Sequence, residues 1–259
     1  MTATHPSVVF LMYHELALPG RRPVESGPGY VRYVLEAAEF EWQMRAIRDM
    51  GLRGIGVSQA LEFPSRSVAI TFDDGCETDL LITAPVLEQF GFRATFYVVA
   101  GWIGKPGFLS ARQIRELDDA GFEIGCHSMT HAYLSDLDPP GLHREIREAK
   151  DTIEQLLGGR IEHFSCPGGR SDPRAVAIAK EAGFETVSTS VPRANRSSTN
   201  PLSLGRVAIK RGVRADGFRN ICLGRGLWKI EMGGDLRDRA KRILGNRSYD
   251  RMRSLILGK

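Results

Sequence analysis

The strongest constraint in this chain is a rhythm. Short apolar, β-branched runs alternate with segments of helical period: "VVFLMYH", "SVAITF", "RATFYVV", "FEIGC" and "IEHFSC" are each followed by a helix-like stretch. "FETVSTS" and "SLGRVAI" complete the strands. "EAAEFEWQMRAIRDMG" reads as an amphipathic helix closed by Gly51, and "SARQIRELDDAG" as one capped by Ser110 and stopped by Gly121. A further helix runs from Thr78 to Phe90, and "PGLHREIREAKDTIEQLLGG" gives a long one. "DPRAVAIAKEAG" is a helix opened by Asp172 with Pro173 at its first position. Strand–helix alternation of this kind implies parallel strands joined by crossover helices. A closed or partly open β/α barrel fits the count better than an open sheet, which periodicity alone leaves possible.

The bulk properties narrow the class. At 259 residues the chain can bury a substantial core. Its formal net charge of +4 does not mark it as a nucleic-acid binder. Four scattered cysteines with no CxxC pair suit a reducing compartment. The opening "MTATHPSVVFLMYHE" lacks a positive n-region, and no run approaches the ~20 apolar residues of a membrane span, so the expected location is cytoplasmic. Residues 1–228 read as one α/β domain and 229–259 as a basic amphipathic helical tail. From Lys229 onward nine Lys or Arg face four Asp or Glu, a net of +5. That tail reads either as a solvated helix packed on the barrel or as an interfacial helix touching the cytoplasmic membrane face.

The polar residues fall at strand ends. Asp73 and Asp74 follow "SVAITF", His127 follows "FEIGC", Pro167–Arg170 follow "IEHFSC", and His14 ends the first strand. In a parallel β/α architecture those carboxyl ends share one rim, beside the Gly/Pro-rich loop "LPGRRPVESGPGY". "HSMTH" places His127 and His131 four apart, on one side of the segment if it turns helically. Two imidazoles and one carboxylate form the ligand set of a catalytic divalent-metal site that keeps a position open for water. The remaining carboxylate is then available as a base. Zinc is the default ion, and cobalt or nickel also suits nitrogen and oxygen ligands.

In this order, "TFDDG", "HSMTH" and "FSCPGGR" resemble the polysaccharide deacetylases of the NodB-homology type (carbohydrate esterase family 4), over about Val8 to Arg211. The resemblance implies a distorted (β/α)7-type barrel and metal-dependent removal of N-acetyl groups from amino sugars. The substrate would be a polysaccharide or a lipid-linked glycan precursor. It makes Asp73 the general base and Asp74, His127 and His131 the metal ligands. Phe72 would wall the site. Pro167, Gly168 and Gly169 would shape the substrate groove and offer a backbone N–H to the oxyanion. Apart from the resemblance, Trp102 in the loop after "TFYVVA" reads either as a face for a sugar ring or as loop packing. Two departures stand out. Many relatives place an Arg before the Pro of the third motif to orient the base, where this chain has Ser165 and Cys166; Arg170 is the substitute orienter. Many use a late His as the acid, and this chain has none after His163, so His14 is the candidate, with Glu15 behind it. These departures leave room for a metal-dependent hydrolase of non-sugar amides or imides on the same barrel, and, further off, for a non-catalytic glycan- or membrane-binding protein.

Overall fold

A computed structural model describes residues 7–170 and 172–230 of the chain. The expected helical tail falls almost wholly on 231–259, outside the described residues. In chain order the strands are β1 (Ser7–Tyr13), β2 (Leu16–Ala17), β3 (Leu35–Glu36), β4 (Arg53–Ile55), β5 (Ser67–Phe72) and β6 (Thr95–Val98). They continue with β7 (Glu123–Cys126), β8 (His163–Ser165), β9 (Thr186–Ser188), β10 (Ala194–Arg196) and β11 (Val207–Ala208).

The main sheet runs β10-β1-β5-β6-β7-β8-β9, and β1, β5, β6, β7, β8 and β9 are mutually parallel. β11 lies parallel beside the second half of β1, and antiparallel β10 beside its first half. A parallel bridge from Ser188 to Leu204 carries β9 round to the segment that feeds β11. The sheet therefore curls into the distorted β/α barrel the alternation predicts. Three-residue β4 and β10 escape the sequence reading because "RGI" and "ANR" carry no apolar run.

Helices Ala37–Asp49, Ala111–Asp119 and Pro173–Glu181 fill the crossovers. Another crossover joins a wide π turn, Asp79–Thr83, to Ala84–Gln89, and the longest runs from Pro139 to Leu157 through a π turn at Arg144–Glu148. Ser110 forms a capping box with Gln113, and the Asp172 side chain accepts from the Arg174 N–H.

Strand alternation divides the core in two. Val9, Leu11 and Tyr13 of β1, with Val68, Ile70 and Phe72 of β5, face the helices. Val8, Phe10, Ala69 and Tyr97 face the barrel axis with Leu204. The same alternation aims Thr71 and Asp73 inward, at the carboxyl-terminal rim.

Candidate metal centre

The two acids after β5 part company at once. Asp73 continues the strand, its N–H donating to the Tyr13 carbonyl at 3.0 Å. Asp74 has φ +80° and Gly75 φ +71°, a left-handed pair that turns the chain sharply. A Cβ on Gly75 would crowd the Val98 backbone at 3.3 Å, so the turn needs glycine for space as well as for φ. The turn sets the Asp74 Oδ1 atom 3.6 Å from both His127 Nε2 and His131 Nε2.

The loop carrying the histidines is not helical. Ser128 and His131 both take positive φ, +67° and +63°, and the Ser128 hydroxyl accepts from the His131 N–H at 3.0 Å. A buried carboxylate fixes this shape: Glu145 accepts from the Met129 and Thr130 N–H groups at 3.0 and 2.8 Å and from the Thr130 hydroxyl at 2.6 Å. Both imidazoles meet one point through a folded loop pinned by Glu145, rather than through helical spacing.

The protonation of this cluster suits a cation. His127 Nδ1 lies 2.9 Å from the Ser165 carbonyl, which can only accept, so Nδ1 carries the proton and Nε2 presents its lone pair. Burial pushes the His127 pKa down to about 3, against the pull of Asp73, and also lowers that of His131. Burial pushes Asp74 up to about 6; the nearby Asp73 charge adds to the rise and His14 opposes it. Asp74 Oδ1 is buried without a hydrogen-bond partner. One ligand atom from each of Asp74, His127 and His131 lies within 4.8 Å of the others, with one carboxylate oxygen orphaned and one tautomer fixed. A divalent ion fits this donor set, and these three residues would hold it.

Asp73 belongs to a different pairing. Arg206, wholly buried, grips it with both arms: Nη1 to Oδ1 at 2.7 Å and Nη2 to Oδ2 at 2.8 Å. The other donors of the guanidinium reach the Thr71 hydroxyl at 3.2 Å, the Ser165 hydroxyl at 2.7 Å and the Thr189 carbonyl at 3.2 Å. All five N–H groups are thus satisfied. Burial alone would raise the Asp73 pKa, but the Arg206 charge, helped by His127, holds its carboxyl well below the ordinary range. Asp73 Oδ2 still lies 3.8 Å from His127 Nε2, facing the metal position.

Several expectations need correction. The arginine that grips Asp73 is Arg206 from the lead-in to β11, whereas Arg170 stacks over the Tyr133 ring at 4.7 Å. Small Ser165 leaves the volume that the Arg206 head occupies. Phe72 does not wall the site: it is buried on the helix side, stacked with Tyr13 at 5.1 Å and edge-on to Phe40 at 5.5 Å. In the Pro167–Gly169 turn the Gly169 N–H is committed to the Cys166 carbonyl at 2.7 Å, which leaves Gly168 to offer a donor. A Cβ on Gly169 would stand 2.2 Å from Ser190, so the turn packs hard against the segment after β9. Glu15 is no acid candidate, because its buried carboxylate binds the loop "LPGRRPVESGPGY" through Arg21, the Val24 N–H and the Tyr30 hydroxyl.

His14 and Trp102 do reach the rim. His14 stacks on Tyr33 at 4.9 Å and acts electrostatically on Asp73 and Asp74. Trp102 packs between Phe108 at 4.8 Å and His131 at 5.3 Å.

Fold and site together define a class: a parallel β/α barrel whose strand ends bring an Asp–His–His cation site up to a separately tethered carboxylate. Residues 60–187, just under half of the chain, match the polysaccharide deacetylase family model. The chain is 27% identical over 187 residues to YxkH of Bacillus subtilis (strain 168), itself assigned to the polysaccharide deacetylases, covering 70% of this chain and 67% of that one. It is 33% identical over 137 residues to the peptidoglycan-N-acetylglucosamine deacetylase of Bacillus cereus, covering 52% and 61%. Its fold matches that of the Streptococcus pyogenes deacetylase PplD, solved in complex with acetate, with a TM-score of 0.73 and 21% identity over 85% of this chain and 99% of the other. The matches thus span about three fifths to two thirds of the curated relatives named here.

Proposed function

We propose that this protein is a metal-dependent hydrolase that removes N-acetyl groups from amino sugars of a surface polysaccharide or its lipid-linked precursor. The observation that carries this is the division of the two adjacent acids: Asp74 joins His127 and His131, while Asp73 is held apart on Arg206, facing the same point. A divalent cation bound there supplies Lewis acidity toward the acetyl carbonyl and lowers the pKa of water toward ~7.

The chain's own groups do the remaining work. Asp73 Oδ2 accepts the proton of the attacking water. Its tether to Arg206 keeps that oxygen aimed and ionised, and makes the protonated form a ready donor. The Gly168 N–H and the Pro167 turn shape the wall against which the developing oxyanion forms. His14 supplies a proton to the leaving nitrogen as the C–N bond breaks, so the products are acetate and a free amine. Trp102 offers a flat apolar face to a sugar ring beside His131. N-acetylglucosamine is the favoured substrate unit because the Bacillus cereus relative carries it in its name. Zinc is the ion we favour, at the cytoplasmic membrane face where such glycans are assembled; subcellular fractionation checks that placement.

Acetate release from N-acetylglucosamine oligomers, run beside a panel of small amides and imides, tests the reading. Chelation should abolish release from the oligomers and added zinc should restore it. Turnover of the small amides alone would overturn the sugar assignment.

A further inference from the structure

We infer that the barrel end opposite the metal centre is a docking face for a bilayer that carries anionic lipid. β10 runs antiparallel to β1 with Arg196 opposite Ser7 and Ala194 opposite Val9, which places it at the amino-terminal ends of the parallel strands. Helix Ala215–Cys222 returns the chain from the rim, and a Cβ placed on Gly224 just after it would stand 3.6 and 3.7 Å from the Val9 and Ala194 side chains. Two clefts meet at this seam. One is lined by Arg219, Leu223 and Arg225, the other by Arg193, Ala194 and Arg196.

Apolar and cationic groups are interleaved there. Leu223 is 44% exposed and Trp228 59% exposed, and the Lys229 ammonium sits 5.5 Å from the Trp228 ring centroid. Asp49 and Asp216 are the acids lining these clefts, against the four cations Arg193, Arg196, Arg219 and Arg225, and Lys229 follows Arg225 four residues on. Arg196, Arg219 and Arg225 make no ion pair among the described residues. An exposed Trp three residues beyond unpaired Arg225 matches the headgroup layer, which accepts the indole at its apolar boundary and attracts the cations. A polyanion alone would satisfy the arginines but gains nothing from protruding Leu223 and Trp228. The sequence leaves the described residues beside this face, and from Lys229 onward it carries a net of +5, so composition continues the same sign. Docked this way, the protein turns its metal centre away from the bilayer, toward a glycan that extends from the surface. The proposal is independent of the hydrolytic reading.

Sedimentation of the full chain with vesicles of phosphatidylcholine, with and without phosphatidylglycerol, tests it. The wild type should bind only the anionic vesicles, and less at high salt. Leu223→Ser with Trp228→Ser, and separately Arg219→Glu with Arg225→Glu, should each weaken binding about tenfold or more. All four side chains are at the surface, so circular dichroism and acetate release should stay at wild-type levels. Absence of wild-type binding would overturn the proposal. So would full binding by both double variants, which would assign it to residues 231–259, or undiminished vesicle binding by Leu223→Ser with Trp228→Ser beside lost binding by Arg219→Glu with Arg225→Glu, which would make the face a plain polyanion site.

Discussion

Arg206 brings a charge into the barrel interior and leaves none of its donors unpaired, so its removal has two separable effects. Arg206→Ala strands a buried Asp73 carboxylate and should lower stability by about 3–5 kcal/mol. It should also cost on the order of a hundredfold in kcat through misplacement of the base, with metal content unchanged. Arg206→Lys should recover part of the stability and little of the kcat, because one ammonium cannot reproduce the two-armed grip. Chemical denaturation and steady-state kinetics check both, and wild-type kcat in the Lys variant would contradict the positioning role. His163 offers a second residue-scale test, remote from the metal. It bonds the Ser58 and Thr186 hydroxyls, and burial lowers its pKa against the pull of Glu123. The unfolded chain takes up a proton near pH 6.5 that the folded state resists, so this stabilisation is complete above that pH and is lost as pH falls toward the folded pKa. The unfolding free energy of wild type should therefore drop relative to His163→Gln between about pH 7 and 5; a gap that stays constant with pH would refute it. The three residues that converge on the candidate cation position were legible in the sequence because Asp74 and His127 follow strand ends and His131 shares the loop of His127. Arg206 was not, since an arginine inside "SLGRVAI" reads as part of a strand and its partner lies 133 positions away.

At the scale of elements, the strand–turn units are set by local chemistry and the loops by distant partners. "SVAITF" and β5 coincide because a β-branched run bounded by a Gly-containing turn admits little else. The histidine loop departs from its helical expectation because Glu145, from the following helical run, takes up its N–H groups. Glu145→Gln replaces one acceptor with a donor that faces other donors, and should weaken zinc binding about 10–100-fold in a chelator competition. Unchanged affinity would show that the loop holds its shape unaided. Phe72 supplies the contrasting case. As a core side chain packed on Tyr13, Phe40 and Phe96, its truncation to Ala should cost about 3–5 kcal/mol and leave KM near wild type. A raised KM with unchanged stability would return Phe72 to the substrate groove.

The whole molecule separates its two ends. Its carboxyl-terminal rim gathers residues remote in sequence around one candidate cation position, and its opposite end carries the basic, Trp-bearing face. The barrel was legible as alternation, but its closure through Leu204 was not, because a single bridge between two strand-like runs leaves no mark in either, and antiparallel β10 was not, because "ANR" carries no apolar run. The central claim is that two adjacent aspartates do different jobs, one holding a metal and one moving a proton. Metal content and acetate release measured together on Asp73→Asn and His127→Ala test that claim most directly. Asp73→Asn should retain its zinc and lose turnover, and His127→Ala should lose both. Full turnover by Asp73→Asn, or undiminished zinc in His127→Ala, would contradict it.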